Sequence, residues 1–291
     1  MPDYQLLYFG DTARTPYGNK GAETIKQYAV EDAEFLLSKG AKIIVIACNT
    51  VSAVAYDYLC AKFPGVPIFE VITPAAEAAA RATKNGRVGV IGTRATIGSG
   101  IYDKKIKQLF SPSDSQSDPP AGGEDAKARR GQSDSLRPPL APPSKGGDID
   151  VFSVVCPLFV PLVEEGWLEA RETKMIARKY LYPLKQKQID TLILGCTHYP
   201  LIKNAIQGKI GRKVIVVDSA EAVVGKILAY LQNHPEIDST ITRVTADVSN
   251  NPAQRGQFFL SDLTPATEST VKKWLGKNVK LNLYVHGRTK N

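Results

Sequence analysis

Cysteine, histidine and long apolar runs are all scarce in this 291-residue chain. Its four cysteines, Cys48, Cys60, Cys156 and Cys196, include no Cys-x-x-Cys pair, which excludes a disulfide framework and a zinc ribbon. In a reducing compartment they are free thiols, serving either as core filler or as chemistry. The longest apolar runs, around Ile43–Ala47 and Val151–Val163, fall far short of the roughly 20 residues of a membrane span. Pro157 and Pro161 also interrupt the second run. The first residues lack a charged start followed by an apolar stretch, so a cytoplasmic protein is expected. The balance of 37 Lys+Arg against 29 Asp+Glu gives a charge of +8, but the positive residues are scattered in pairs such as Lys104-Lys105 and Lys272-Lys273. Without a basic stripe or a stacking motif, no nucleic-acid partner is expected.

What is present is an alternation. Short β-branched runs at Gln5–Phe9, Lys42–Ala47, Val66–Val71, Val88–Ile91, Val151–Val155, Thr191–Leu194 and Lys213–Val217 are separated by helical stretches, the pattern of a parallel α/β sheet. The spacing of Ile25, Tyr28, Ala29, Ala33 and Leu36 predicts a helix over Ala22–Lys39 that stops at Gly40. Helices are also predicted over Ser52–Phe63, over Glu221–Leu231, and from Thr264-Pro265 to Gly276, with a last strand at Lys280–Val285. Ser111–Gly147 breaks the pattern. It is built almost wholly of Ser, Asp, Pro, Gly, Lys and Arg, cannot bury enough apolar surface to offset its ordering entropy, and reads as a disordered low-complexity insertion.

A weak internal repeat links two of the cysteines. KIIVIACNT (Lys42–Thr50) and DTLILGCTH (Asp190–His198) each run from a buried strand through a small residue to Cys and then to small polar residues before a helix. In an open α/β sheet the carboxyl ends of strands border the ligand crevice, which places Cys48 and Cys196 there. Each is also expected at or near a helix start, where free N–H groups favour a thiolate. One buried cysteine is ordinary core filler. Two in repeated contexts, with Asn49, Thr50, Thr197 and His198 immediately after, point to a site, while Cys60 and Cys156 read as core. A metal site wants more ligands, and a hydrolase has no role for a second thiol. Two thiols facing each other across a substrate carbon suit two-base proton exchange at a stereocentre, with hydroxyls and backbone N–H groups holding a substrate carboxylate.

The blocks YFGDTARTPYGNK (Tyr8–Lys20), VIACNTVSA (Val45–Ala53), VGVIGTRATI (Val88–Ile97), CPLFVPLVEEG (Cys156–Gly166) and LGCTHYPLI (Leu194–Ile202) resemble, in order, those of bacterial glutamate racemases. The resemblance implies a fold of two α/β lobes with parallel sheets related by a pseudo-two-fold, the active site between them. Residues 1–73 plus 201–291 would form one lobe and 74–200 the other. It further implies cofactor-independent interconversion of L- and D-glutamate for peptidoglycan synthesis, with no metal. Cys48 and Cys196 would be the acid/base pair and His198 and Glu164 auxiliary groups for the thiols, with Asp11 a weaker candidate. Tyr17, Gly18, Asn49, Thr50, Thr93, Thr96, Thr197 and His198 would contact substrate. The implied partner is the small-molecule substrate, with no nucleic acid and no membrane, and a homodimer is compatible with such a chain. The family begins with a strand ending in Asp-Ser-Gly that supplies an aspartate beside the first cysteine. This sequence starts after that element and is expected to be a fragment or to have a misplaced start. Glutamate, aspartate or another acidic amino acid all remain open as substrates, as does a catalytically impaired relative that binds an amino acid or a protein partner.

Overall fold

The computed structural model describes residues 4–110, 149–244, 256–276 and 278–284. The expected insertion at 111–147 lies outside the described residues. The first parallel sheet has the order β1-β8-β9, from β1 (Leu6–Gly10), β8 (Gly256–Leu260) and β9 (Leu281–Leu283). A two-stranded parallel pair joins β2 (Ile44–Ile46) to β3 (Ile68–Glu70). Among the described strands, β1 pairs along one edge only, and so does β2.

Helix α1 (Ala22–Ser38) serves both groups. Its Phe35 packs against Phe9, Phe259 and Tyr284 of the first sheet, while Ile25, Ala29 and Ala33 enter a core with Ile44, Ile46, Ala55 and Leu59. The helix ends where expected because Gly40 takes up φ +89°, a conformation that costs a side-chain-bearing residue. Helix α2 (Asn49–Lys62) follows β2 directly and starts three residues earlier than periodicity predicts. Helix α10 (Pro265–Leu275) runs between β8 and β9, the Thr264 hydroxyl before it accepting from the Thr267 N–H.

The larger sheet has the order β5-β4-β6-β7, all parallel, from β4 (Arg87–Gly92), β5 (Asp150–Val155), β6 (Thr191–Gly195) and β7 (Ile215–Asp218). Its central strands are buried on both faces, and their side chains alternate between two cores. Val88, Val90 and Ile193 face α3 (Ile72–Ala82) and α5 (Ile101–Phe110). Ile91, Leu192 and Leu194 face α6 (Phe159–Glu164), α7 (Arg171–Gln186) and α8 (Lys203–Ile210). The expected boundary at residue 200 does not coincide with the edge of this sheet. β7 lies beyond that boundary yet pairs with β6 from Thr191↔Ile215 to Leu194↔Asp218, because its backbone groups complete the ladder there. Helix α9 (Ser219–Asn233) then spans the two halves: Val223, Ile227 and Leu231 pack with Val71, and Lys226 Nζ lies 2.8 Å from Glu77 on α3.

The connection out of β4 leads to β5 on one side, and the chain then crosses to β6 on the other. This reversal opens a crevice at the carboxyl ends of β4 and β6, the usual ligand position in an open α/β sheet. Gly92 and Gly195 are register partners, so Thr93 and Cys196 leave the sheet side by side.

Candidate active site

Cys48 stands at the position preceding α2, two residues after β2, with extended backbone angles (φ −77°, ψ 120°). It is half-buried. Burial pushes its thiol up, whereas the backbone N–H groups of Val51 and Thr50 and the Thr50 hydroxyl favour the thiolate and pull it back, and the nearby Asp32 carboxylate adds to the upward push. Asp32 has a carboxyl pushed up to about 7 by burial and by the charge of Asp11, against the opposing Arg14 charge and Tyr17 hydroxyl bond. The Tyr17 hydroxyl donates to Asp11 and lies 3.2 Å from Asp32. Asp11 also accepts from Arg14 Nε at 2.6 Å and from Ser261 Oγ at 2.7 Å. Asp11 and Tyr17 thus belong to one buried polar network beneath the Tyr17-Gly18 turn.

Cys196 directly follows β6 and is buried. Unlike Cys48 it does not precede an α-helix: a single 3₁₀ turn, Tyr199–Ile202 with Pro200 inside it, comes before α8. The backbone N–H of His198 and the Thr197 hydroxyl therefore do the work of a helix N-terminus. Burial outweighs them and pushes the thiol up to about 12, with negative charge at Cys48 and Glu164 contributing. Cys196 thus lies within the electrostatic reach of Cys48. His198 Nδ1 is 3.8 Å from Cys196 Sγ and 3.4 Å from Thr197 Oγ1, and its Nε2 is 3.3 Å from Glu164 Oε1. With the Nε2–H of His198 donating to Glu164, Nδ1 presents a lone pair toward the thiol. That is the geometry of a base for Cys196.

The remaining residues converge between these ends. Thr50, Thr93 and Thr96 form a triangle of hydroxyls, with Oγ1 separations of 3.0 Å (Thr50–Thr93), 3.3 Å (Thr50–Thr96) and 3.0 Å (Thr93–Thr96). Thr93 caps α4 (Arg94–Gly98) by accepting from the Thr96 N–H. Gly18 lies directly against this triangle, since a Cβ there would stand 2.7 Å from Thr93 Cβ. A cleft of about 510 Å³, lined by Gly18, Asn19, Lys20, Arg94, Ala95 and Pro157, opens beside it. Two cations at its rim favour an acidic ligand. Asn49 reaches the other half of the molecule, its Nδ2 donating to Ser219 Oγ at 3.3 Å and its Oδ1 accepting from Tyr102 Oη at 2.6 Å.

The candidates thus fall into a Tyr17–Asp11–Asp32 network near Cys48, a Cys196–Thr197–His198–Glu164 cluster, the threonine triangle beside Gly18, and Asn49 held between Tyr102 and Ser219. Cys60 is half-buried against the core under α2, as expected. Cys156 is buried too, but sits close enough to Cys196 that negative charge there raises the Cys156 thiol, a proximity that the sequence did not signal. Tyr102, Asp32 and Ser219 were also missed. Each reads from sequence as an ordinary helix residue, and only the fold brings them to the cysteine segments. Among the described residues no group of three or more His, Cys, Asp or Glu is placed to hold a metal.

The high thiol position has a measurable consequence. Alkylation of Cys196 by iodoacetamide should rise about tenfold per pH unit from pH 7 to 10, because only the thiolate reacts. Mass mapping of the modified peptide reads this directly, and a plateau below pH 9 would show a thiol of ordinary acidity. Folding stability should move the other way. Above about pH 8.5 the unfolded thiol ionises while the buried one keeps its proton, so stability is lost as pH climbs toward 12.

Residues 1–123 match the Asp/Glu/hydantoin racemase family. Glutamate racemase of Chlorobaculum tepidum is 40% identical over 226 residues, covering 78% of this chain and 70% of the relative. That of Geobacter metallireducens is 37% identical over 276 residues, covering 95% and 85%. The chain belongs to the glutamate racemase family. The glutamate racemase of Francisella tularensis, solved in complex with D-glutamate, superposes with a TM-score of 0.73 at 29% identity, over 97% of this chain and 88% of that one. The two-lobed α/β architecture of glutamate racemases is thus the architecture of this protein. Among the described residues no helix is long and apolar enough to cross a membrane.

Proposed function

We propose that this chain interconverts L- and D-glutamate by two-thiol proton exchange, supplying D-glutamate for peptidoglycan. The observation that carries the reading is the placement of Cys48 and Cys196, each just beyond the end of a parallel strand, with negative charge at Cys48 felt at Cys196. In one direction the thiolate of one cysteine takes the α-proton and the thiol of the other delivers a proton to the opposite face. The configuration inverts and the protonation states of the two sulfurs are exchanged. The reverse reaction starts from that second state, so no proton is gained or lost.

A high thiol pKa makes the thiolate scarce but a strong base, which suits a weakly acidic C–H bond. Scarcity is offset locally by the N–H groups at each sulfur and, for Cys196, by His198, which accepts the thiol proton with Glu164 behind it. Thr50, Thr93 and Thr96 supply hydroxyl donors for a carboxylate, and Asn49 and Thr197 complete the contacts with Tyr17 and Gly18 shaping the wall. Lys20 and Arg94 at the cleft draw in a substrate that carries two carboxylates. Thiol chemistry of this kind needs a reducing compartment, which places the enzyme in the cytoplasm.

The test is solvent exchange. In ²H₂O, L- and D-glutamate should each gain deuterium at the α-carbon and racemise, with aspartate at least tenfold slower. Faster exchange into aspartate would reassign the substrate. No exchange into either, with tight glutamate binding retained, would make the chain a binder.

A further inference from the structure

We propose that Tyr102 is a positioning residue of the site, holding the Asn49 side-chain amide in the one orientation that offers an N–H to the substrate. Tyr102 lies on α5 and is 2% exposed, in a helix whose other buried side chain, Ile106, is plain core. Its hydroxyl is spent on a single acceptor, Asn49 Oδ1, at 2.6 Å. Its ring meets the other cysteine segment: a Cβ built on Gly195 would stand 3.3 Å from Tyr102 Cε2. One side chain thus touches the residue after Cys48 and abuts the residue before Cys196.

An amide has one acceptor oxygen and two N–H donors. Asn49 is 1% exposed, its oxygen is occupied by Tyr102, and one donor is directed at Ser219 Oγ at 3.3 Å. The second N–H is what remains for a ligand. Rotating the amide by half a turn would place its NH₂ against the Tyr102 hydroxyl and direct its oxygen at Ser219. The phenol opposes that rotation: its oxygen could accept from the amide, but its own O–H would lose the acceptor it has here and be left buried without one. Burial, together with negative charge at Glu70 and Cys196, holds its pKa well above the ordinary range, so it stays protonated. Removing the hydroxyl frees the amide to present either end, and an oxygen aimed at a carboxylate repels it.

This inference rests on the proposed racemase reading, and the experiment separates the two. Glutamate binding by calorimetry and racemisation kinetics are measured on the unsubstituted full chain, then on Tyr102→Phe, Asn49→Ala, the double variant and Ser219→Ala. Failure of the unsubstituted chain to bind or turn over glutamate counts against the racemase reading. Given that it binds, Tyr102→Phe should raise Kd and KM about tenfold with kcat changed less than threefold and the melting temperature nearly unmoved. In the Asn49→Ala background the same substitution should change Kd by less than twofold, because Tyr102 then has no amide to orient. A merely structural tyrosine would lower the melting temperature and multiply with Asn49→Ala. That result, or a Kd within twofold of the unsubstituted chain, overturns the proposal. If Tyr102→Phe does not fold, Ser219→Ala decides, since it releases the same amide from its other end: a Kd rise of several-fold supports the inference and an unchanged Kd overturns it.

Discussion

Replacing either Cys48 or Cys196 by alanine should lower racemisation by about 10²–10⁴-fold, the range that one positioned acid or base supplies. Each variant keeps one of the two proton carriers, so neither can complete an inversion. The serine variants carry more information. A hydroxyl is a far weaker acid than a thiol, so the step in which the introduced serine must act as base becomes limiting in one direction only. The primary isotope effect with α-deuterated glutamate should then rise for one enantiomer in Cys48→Ser and for the other in Cys196→Ser. Total kcat/KM cannot show this, because the equilibrium constant of a racemisation is one and ties the two directions together. The isotope effects can. Equal isotope effects for both enantiomers in both variants, with turnover near normal, would end the two-thiol mechanism. His198→Asn should resemble Cys196→Ser rather than Cys48→Ser, since its Nδ1 lies 3.8 Å from Cys196 Sγ.

The reason both cysteines could be read from sequence is that each terminates a strand whose residues have nowhere else to go. Leu192, Ile193 and Leu194 are fully buried, and Ile44 and Ile46 nearly so, and a run of that kind bounded by small polar residues marks a strand end at the crevice. Register and partnership were not legible in the same way. β8, Gly256–Leu260, was missed because only Phe258, Phe259 and Leu260 are apolar and Gln257 interrupts the run. The assignment of β7 to the larger sheet depends on a crossover that leaves no local signature, which is why a boundary drawn at residue 200 cut through that sheet. Cys196 was expected near a helix start and meets the 3₁₀ turn Tyr199–Ile202 instead, with α8 beginning only at Lys203. Tyr102 looks from sequence like any apolar residue on an amphipathic helix. Its hydroxyl acquires meaning only from Asn49, 53 positions away.

Gly195→Ala should cost both stability and most of the activity. The glycine closes β6 opposite Gly92, and a Cβ there would stand 2.7 Å from the backbone oxygen of Ile91. The obstacle is a carbonyl within a hydrogen-bonded ladder at the buried centre of the sheet, so no side chain can swing aside to accommodate the methyl. Overpacking of this kind costs about 1–3 kcal/mol. The contrast is Gly89, where the nearest atom to an added Cβ is Ile189 Cδ1 at 2.5 Å, the end of a side chain that can change rotamer. Gly89→Ala should therefore be the milder change in thermal unfolding. For activity the difference should be larger, because relief at Gly195 comes only by moving β6 away from β4, and this carries Cys196 away from Thr93 and the hydroxyl triangle. A shift of about 1 Å in a reacting group is enough for a loss near 10²-fold. Gly89 lies at the far end of the same pair of strands, where a small displacement leaves the crevice in place. Circular dichroism melts and racemisation rates on both variants decide the matter. A Gly195→Ala protein with near-normal turnover would mean that Cys196 is not held by its register with β4.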